Sequence, residues 1–170
     1  MQPKVSIILS TEGKSLFFEQ AIESIFNQSY SNWELLILID SEQSKIELSD
    51  RFNISRVKIF EVKNKIGLAR ALNFLISQAT GELIARMDDD DLMLPHRIQR
   101  QVQEFQKKDI DLCCSMAELI DLEGQVFGHI PKKFRNDLLY FLIKNPIIHP
   151  TVMYKKEWAL QNKYEPTMMK

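Results

Sequence analysis

Short apolar runs alternate along this chain with longer stretches whose apolar residues recur at helical spacing. Two short apolar runs predict buried strands, Val5–Leu9 and Trp33–Ile39, and two further runs predict strands as well: Val57–Val62, which alternates partly, and Leu83–Met87. Apolar stripes predict a helix from Phe18 to Phe26, with Ser15 as its N-cap, and another over Leu68–Ala79. Strands that alternate with helices are typical of an α/β fold with a mainly parallel sheet.

The pattern changes after the fourth strand. Pro95 is expected to open a helix that carries Ile98, Val102 and Phe105. Asp111–Leu122 and Gln125–His129 flank Glu123-Gly124 and predict a small antiparallel element around a turn. The remaining predicted elements are a helix at Asn136–Lys144, a short strand at Thr151–Tyr154 and a final helix at Lys156–Gln161. We find no repeat or linker, so residues 1–170 are expected to form a single domain.

Composition narrows the class of protein. The 170 residues are 45% hydrophobic and 26% charged, as in globular proteins, and the net charge of -1 gives no basic field for nucleic acid. The amino terminus lacks the layout of a signal peptide, and the longest apolar run, Leu138–Ile143, is far shorter than the roughly 20 residues that span a bilayer. We therefore expect a cytoplasmic protein that does not bind nucleic acid.

Polar residues follow three of the predicted strands. Ser10-Thr11-Glu12 comes after the first, Asp40 after the second and Asp88–Asp91 after the fourth. In open α/β sheets, ligands bind beyond the carboxyl ends of the strands. If the strands are parallel, these segments share one edge and line one cleft.

The four consecutive aspartates are the strongest single signal. Adjacent carboxylates repel one another unless a cation offsets them. Alternate residues of an extended segment face the same way, so Asp88 and Asp90 are expected to address one cation. Carboxylates suit Mg²⁺ or Mn²⁺, and such an ion can bridge to a diphosphate and stabilise its departure.

Simpler interpretations compete with this one. The acidic run also fits a solvated loop that caps the following helix. An EF-hand does not fit, because Met93 stands at the sixth loop position, where glycine is required. The P-loop and G-x-G-x-x-G patterns are absent from the sequence.

The other candidates each have a structural alternative. Asp40 fits a nucleobase or ribose contact but also a turn, and Thr11 fits a base contact or a helix cap. Arg70 and Asn73 lie off the apolar stripe of their helix and face either a diphosphate or water. His149, in an apolar segment, is either part of the active-site lining or a buried structural histidine.

Several segments, in this order and spacing, resemble family 2 glycosyltransferases with the GT-A fold, especially bacterial enzymes of capsular and surface polysaccharide synthesis. The matching segments cover nearly the whole chain and are Val5–Thr11, Ala21–Tyr30, Glu34–Asp40, Gly67–Asn73, Gly81–Asp91 and Asn145–Met153. Within Gly81–Asp91, the aspartates resemble the D-x-D motif of the family.

The resemblance implies a donor, a metal and a set of roles. Thr11 and Asp40, with Ser10 and Glu12 beside Thr11, are expected to contact the nucleoside of a UDP-sugar. Asp88 and Asp89 are expected at the ribose or diphosphate, and Asp90, with Asp88, on Mn²⁺ or Mg²⁺. The family inverts the anomeric centre: an aspartate deprotonates the acceptor hydroxyl, which then attacks the sugar. The acceptor is expected to be a glycan or a lipid-linked molecule.

The chain also departs from the family pattern. Glu12 adds a carboxylate near the base, and Asp89 adds a negative charge where the family has a small residue. The Glu-Asp motif that carries the catalytic base of the family should follow the region of Tyr164, and no such motif occurs before Lys170. We therefore expect the base beyond Lys170, on the acceptor side of the fold.

Two alternative functions and one possible membrane contact remain to be considered. The missing base favours an inert module that binds a nucleotide or a partner without transferring sugar. A nucleotidyltransferase is disfavoured, because no glycine-rich basic loop follows the first strand. Leu138–Ile143 and its flanking basic residues fit either a peripheral contact with the inner face of an acidic membrane or a core helix. The flanking residues are Lys132, Lys133, Arg135 and Lys144.

Overall fold

A computed structural model describes residues 2–42, 46, 48, 52–130 and 146–167 of the chain. The strands are β1 (Val5–Thr11), β2 (Trp33–Ile39), β3 (Val57–Glu61), β4 (Leu83–Met87), β5 (Leu112–Cys113), β6 (Ala117–Ile120), β7 (Val126–Ile130) and β8 (Met153–Lys155). The α-helices are α1 (Phe18–Phe26), α2 (Leu68–Gln78), α3 (Arg97–Lys107) and α4 (Lys156–Gln161). Single 3-10 turns occupy Ile54–Arg56 and His149–Thr151.

The main sheet has six strands in the order β3-β2-β1-β4-β8-β5. The first four strands of the chain pair in parallel, and β8 runs antiparallel to both β4 and β5. A separate antiparallel pair, β6 and β7, follows the acidic run. The structure confirms the predicted α/β fold, with its mainly parallel sheet and its small antiparallel element.

The central strands are apolar because both faces of the sheet are covered. All seven residues of β2 are buried. Alternate residues of each strand point to opposite faces, so Ile7 packs with α1 and α3 while Ile8 packs with α2 and α4. Each fully buried aliphatic side chain of this kind contributes about 1.5–3 kcal/mol.

Two predicted helix starts differ in the structure. Ser15 is not the N-cap of α1, which begins at Phe18 with no side-chain cap. The hydroxyl of Ser15 instead accepts a hydrogen bond from the backbone N–H of Phe17, just before the helix. The helix after Pro95 begins at Arg97, two residues beyond the proline.

Two further differences involve the segment around Thr151. Its hydroxyl donates to the carbonyl of Ser115 at 3.0 Å and accepts from the Ser115 N–H at 3.1 Å, so the stretch predicted as one strand over Asp111–Leu122 divides into β5 and β6. The strand predicted over Thr151–Tyr154 begins only at Met153, because the segment containing Pro150 forms a 3-10 turn.

A buried carboxylate fastens the amino-terminal ends of β1 and β2 to the turn before β4. Glu34 accepts hydrogen bonds from the Ser6 hydroxyl at 2.6 Å and from the N–H and hydroxyl of Thr80 at 2.7 and 2.8 Å. The Lys4 ammonium lies 3.1 Å from its second oxygen. Burial acts to raise the pKa of Glu34, but these donors outweigh it and hold the pKa at about 2. The residue after Thr80, Gly81, lies so close to β1 that a Cβ there would be 2.6 Å from the Lys4 carbonyl oxygen.

Among the described residues, no helix is both long and apolar enough to reach across a bilayer. The helix predicted at Asn136–Lys144, with the proposed membrane contact at Leu138–Ile143, lies outside the described residues. That contact stays a prediction.

Candidate functional site

The carboxyl ends of β1, β2 and β4 meet at one edge of the sheet. The register pairs Thr11 with Ile39 and Leu9 with Met87, so the residues that follow the three strands are neighbours. They line a cleft of about 610 Å³. Of the residues predicted for the site, those along this cleft are Ser10, Thr11, Glu12, Asp40, Asp88, Asp89 and Asp90.

Three carboxylates converge at the cleft. Asp88, Asp90 and Asp91 each offer one oxygen, and these oxygens lie within 4.8 Å of one another. Burial and the neighbouring aspartates raise the pKa of Asp88 and of Asp91, although the Arg86 guanidinium acts in the opposite direction. The cluster is therefore a site where negative charge is incompletely offset.

Asp91 is a member of the cluster that alternation did not predict. Asp89 and Asp90 form a turn rather than a continuation of β4. A turn brings its first and fourth residues together, so Asp91 returns to the side of Asp88. The predicted pair of Asp88 and Asp90 is present, and a third carboxylate joins it.

The donor set fits a hard divalent cation. It consists of carboxylate oxygens alone, with no sulfur or imidazole, which suits Mg²⁺ or Mn²⁺ better than softer metals. Asp90 is exposed and lines the cleft, so the side facing the cleft is open to a further ligand.

Arg86 is a site residue that the sequence patterns did not single out. Its side chain is 3% exposed, and its two terminal nitrogens lie 3.1 and 2.6 Å from the two carboxylate oxygens of Asp88. A signal was nevertheless present in the sequence, because residues two apart at the end of a strand face the same way. An arginine two positions before an acidic residue is placed to pair with it.

The loop after β1 is tied to the acidic turn. The Thr11 hydroxyl donates to the carboxylate of Asp89 and accepts from the Gly13 N–H at 2.8 Å. The Ser15 hydroxyl donates to the Asp89 carbonyl at 3.0 Å. The additional charge at Asp89 therefore has a partner: its carboxylate holds the two loops together.

Asp40 fastens the start of α2. Its two oxygens accept hydrogen bonds from the backbone N–H groups of Ile66 at 2.7 Å and Gly67 at 2.8 Å. Gly67 has a positive φ of 83°, which a glycine adopts without strain. Asp40 is 4% exposed and still borders the cleft, so this structural role does not remove it from the site.

Two lysines bring positive charge to the cleft. Lys65, before α2, and Lys14, after β1, both line it and both form ion pairs with Glu12. Hydrogen bonds from Lys65 and then Lys14 lower the pKa of Glu12. The sequence pointed to Glu12 but to neither lysine, because loop lysines carry no distinctive pattern.

Three predicted residues do not lie among the described residues of the cleft lining: Arg70, Asn73 and His149. Arg70 is exposed, and Asn73 holds the backbone of Tyr164 through both amide atoms, at 2.8 and 3.0 Å. His149 Nε2 lies 2.9 Å from the Tyr164 hydroxyl, and burial, with the nearby Arg86 charge, lowers the pKa of His149 to about 4. Asn73 therefore contacts protein backbone rather than water, and the contacts of His149 fit its structural alternative.

Sequence comparison identifies the family. The profile described as Glycosyl transferase family 2 matches residues 6–162. The chain belongs to glycosyl transferase family 2. The O-antigen biosynthesis glycosyltransferase WbnJ of Escherichia coli is 30% identical over an alignment of 165 positions, which covers 94% of this chain and 64% of WbnJ. This family 2 chain therefore spans less than two thirds of the length of that relative.

Solved structures share the fold of this family 2 chain. S. aureus TarS 1–349 in complex with UDP-GlcNAc superposes with a TM-score of 0.64 at 15% identity, over 94% of this chain and 47% of that one. The mannosyltransferase PcManGT of Pyrobaculum calidifontis, in complex with GDP-Man and Mn²⁺, also superposes with a TM-score of 0.64 at 15% identity, over 95% and 47%. The likeness confirms the predicted GT-A fold.

Proposed function

We propose that the chain is the donor-binding part of an inverting glycosyltransferase that takes a UDP-sugar with a divalent metal ion. The acceptor is a glycan or a lipid-linked molecule of surface polysaccharide synthesis. The observation that carries the proposal is the cluster of Asp88, Asp90 and Asp91 at the rim of the cleft, in a chain of glycosyl transferase family 2. The O-antigen role of the relative WbnJ supports the acceptor class.

The proposal divides the cleft into two ends. Ser10, Thr11 and Asp40 contact the nucleoside, because they lie at the carboxyl ends of the neighbouring strands β1 and β2. The acidic cluster lies beside them at the end of β4 and receives the diphosphate through Mn²⁺ or Mg²⁺. The structure of TarS is a complex with UDP-GlcNAc and that of PcManGT a complex with GDP-Man and Mn²⁺, which supports a nucleotide-sugar and a metal for this fold.

The chemistry assigned to this chain is stabilisation of the leaving group. A divalent cation held by the carboxylates would offset the charge that develops on the departing diphosphate. Lys14 and Lys65 line the same cleft and pair with Glu12 when no donor is bound. A bound diphosphate would compete with Glu12 for these two ammonium groups, which would then offset part of its charge.

A thermal-shift screen of nucleotides and nucleotide-sugars with Mn²⁺ tests this donor class. A ligand at about a hundred times its Kd stabilises by about 2.7 kcal/mol. For a chain of this size, UDP and UDP-sugars should therefore raise Tm by roughly 5–10 °C.

GDP-mannose, ADP and UMP serve as matched comparisons. We expect smaller shifts from all three, because they change the base or remove a phosphate. A larger shift from GDP-mannose would move the donor class away from UDP. No shift from any nucleoside diphosphate would contradict the proposed function.

A further inference from the structure

Arg86 is a buried cation that lies directly behind the acidic cluster. Arg86 as a whole is 2% exposed, and both terminal nitrogens of its guanidinium contact the carboxylate of Asp88. Arginine matches a carboxylate through two parallel hydrogen bonds, which fix the plane of the carboxylate as well as its position. Asp88 is thus held from the protein side, while its side chain stays 32% exposed.

The backbone of Arg86 is anchored on both sides. The Arg86 N–H donates to the carbonyl of Val152 at 3.0 Å, and the Arg86 carbonyl accepts from the Arg97 guanidinium at 3.0 Å. Arg97 is anchored in turn by Gln101, at 3.2 Å from its Nε. The paired contact of Arg86 with Asp88, called the clamp below, therefore rests on the sheet and on α3, not on a loop.

The clamp leaves a defined part of Asp88 available. A carboxylate has about four lone-pair positions, and the guanidinium occupies one on each oxygen. The remaining positions are directed away from Arg86, and one oxygen of Asp88 lies within 4.8 Å of oxygens from Asp90 and Asp91. Without the clamp, repulsion among adjacent carboxylates would favour rotamers of Asp88 that face away from the cluster.

We propose that Arg86 is a positioning residue for the metal centre: it holds Asp88 in the orientation that completes the carboxylate cluster before a cation arrives. The inference rests on the proposed function, because it assigns Arg86 to that same site. It predicts an effect on cation binding that exceeds any effect on folding. A purely structural ion pair would show the opposite: lower stability, with unchanged cation affinity in the folded protein.

Arg86→Lys is the main test, since lysine keeps the charge and the aliphatic stem but cannot form the paired contact. The measurement is the Mn²⁺ affinity in the presence of saturating UDP, from the electron paramagnetic resonance signal of free Mn²⁺. Partners of metal ligands typically change affinity by about 10–100-fold, so we expect a loss of at least about tenfold. Urea unfolding without metal reports separately on the stability of each variant.

A double-mutant cycle shows whether Arg86 acts through Asp88. In an Asp88→Asn background, Arg86→Lys should change Mn²⁺ affinity by less than about twofold, since the carboxylate that it positions is gone. Arg56→Lys is the control. It alters an arginine outside the cleft lining, whose guanidinium donates to the Ser31 carbonyl at 2.9 Å and lies over the Trp33 ring, and it should leave Mn²⁺ affinity unchanged.

The outcomes separate the two proposals. A wild-type chain that binds Mn²⁺ with UDP, and an Arg86→Lys chain that binds it equally well, would overturn the role of Arg86 alone. An equal loss in the wild-type and Asp88→Asn backgrounds would also overturn it. A wild-type chain that binds no Mn²⁺ with UDP would overturn the proposed function and this inference with it.

Discussion

Asp90→Asn is expected to weaken Mn²⁺-dependent binding of UDP by at least about tenfold. Replacing a residue that only supports a metal ligand typically lowers metal affinity by about 10–100-fold, and loss of a ligand should do no less. Asparagine keeps the size of the side chain but removes the charge that a hard cation requires. Asp90 is exposed and lines the cleft, so its loss should act on binding rather than on folding. Calorimetric titration of UDP into protein with Mn²⁺ measures the effect.

Asp109→Asn is the control for this variant. Asp109 is also an acidic residue near the surface, with a side chain 98% exposed, and it pairs with Lys155 outside the cleft lining. Its replacement should leave UDP affinity unchanged. If Asp90→Asn and Asp109→Asn bind UDP equally well, the cluster does not hold the cation.

The same titration on Asp91→Asn ranks the members of the cluster. Asp91 contributes an oxygen to the cluster but is not among the described residues that line the cleft. We expect a smaller loss than for Asp90→Asn, because Asp90 faces the side on which the diphosphate is proposed to bind. Equal losses would contradict this ranking of the two aspartates.

Glu34→Gln is expected to lower the free energy of unfolding by up to about 3 kcal/mol near neutral pH, the equivalent of its pKa shift from 4.5 to about 2. The amide keeps the shape but loses the charge. Its NH₂ group cannot accept the hydrogen bonds that the carboxylate oxygen accepts from Ser6, Thr80 or Lys4. Because Glu34 is 5% exposed, solvent does little to replace these contacts.

The pH dependence of this effect has a definite sign. The folded pKa of Glu34 is lower than its ordinary value, so the ionised carboxylate stabilises the fold above about pH 4.5. That contribution is lost as the pH falls towards about 2, where Glu34 is protonated in the folded protein as well. The difference in stability between wild type and Glu34→Gln should therefore shrink as the pH is lowered through this range.

Urea unfolding at a series of pH values measures the difference. Glu104→Gln is the control, because Glu104 also pairs with a lysine, Lys108, but on the exposed surface of α3. Its replacement should change stability little at any pH. A Glu34→Gln difference that stays constant as the pH falls would contradict the assigned role of the charge.

The sequence predicted the sheet well because its strands are buried on both faces. Trp33–Ile39 and Leu83–Met87 are mostly apolar runs, each with a single charged residue, and β2 and β4 have those bounds. Parallel strands then place Thr11, Asp40 and Asp88 at one edge without any further information. The meeting of these residues therefore follows from the fold class alone.

What could not be predicted depends on contacts between distant segments. Asn73 engages Tyr164 across 91 positions, and Asp40 engages the backbone of Ile66 across 26. Such hydrogen bonds depend on how loops return to the sheet, which apolar periodicity does not encode. Asp91 joined the carboxylate cluster for a local reason, because a turn replaced the extended conformation on which alternation depends.

The central claim is that one cleft binds a cation and a diphosphate together, and calorimetric titration of UDP with Mn²⁺ and with excess chelator tests it most directly. Coupling of this kind is typically about 5–150-fold and is reciprocal, so we expect UDP affinity to rise at least about tenfold with Mn²⁺, and Mn²⁺ affinity to rise equally with UDP. Equal UDP affinity in the two titrations would contradict the account.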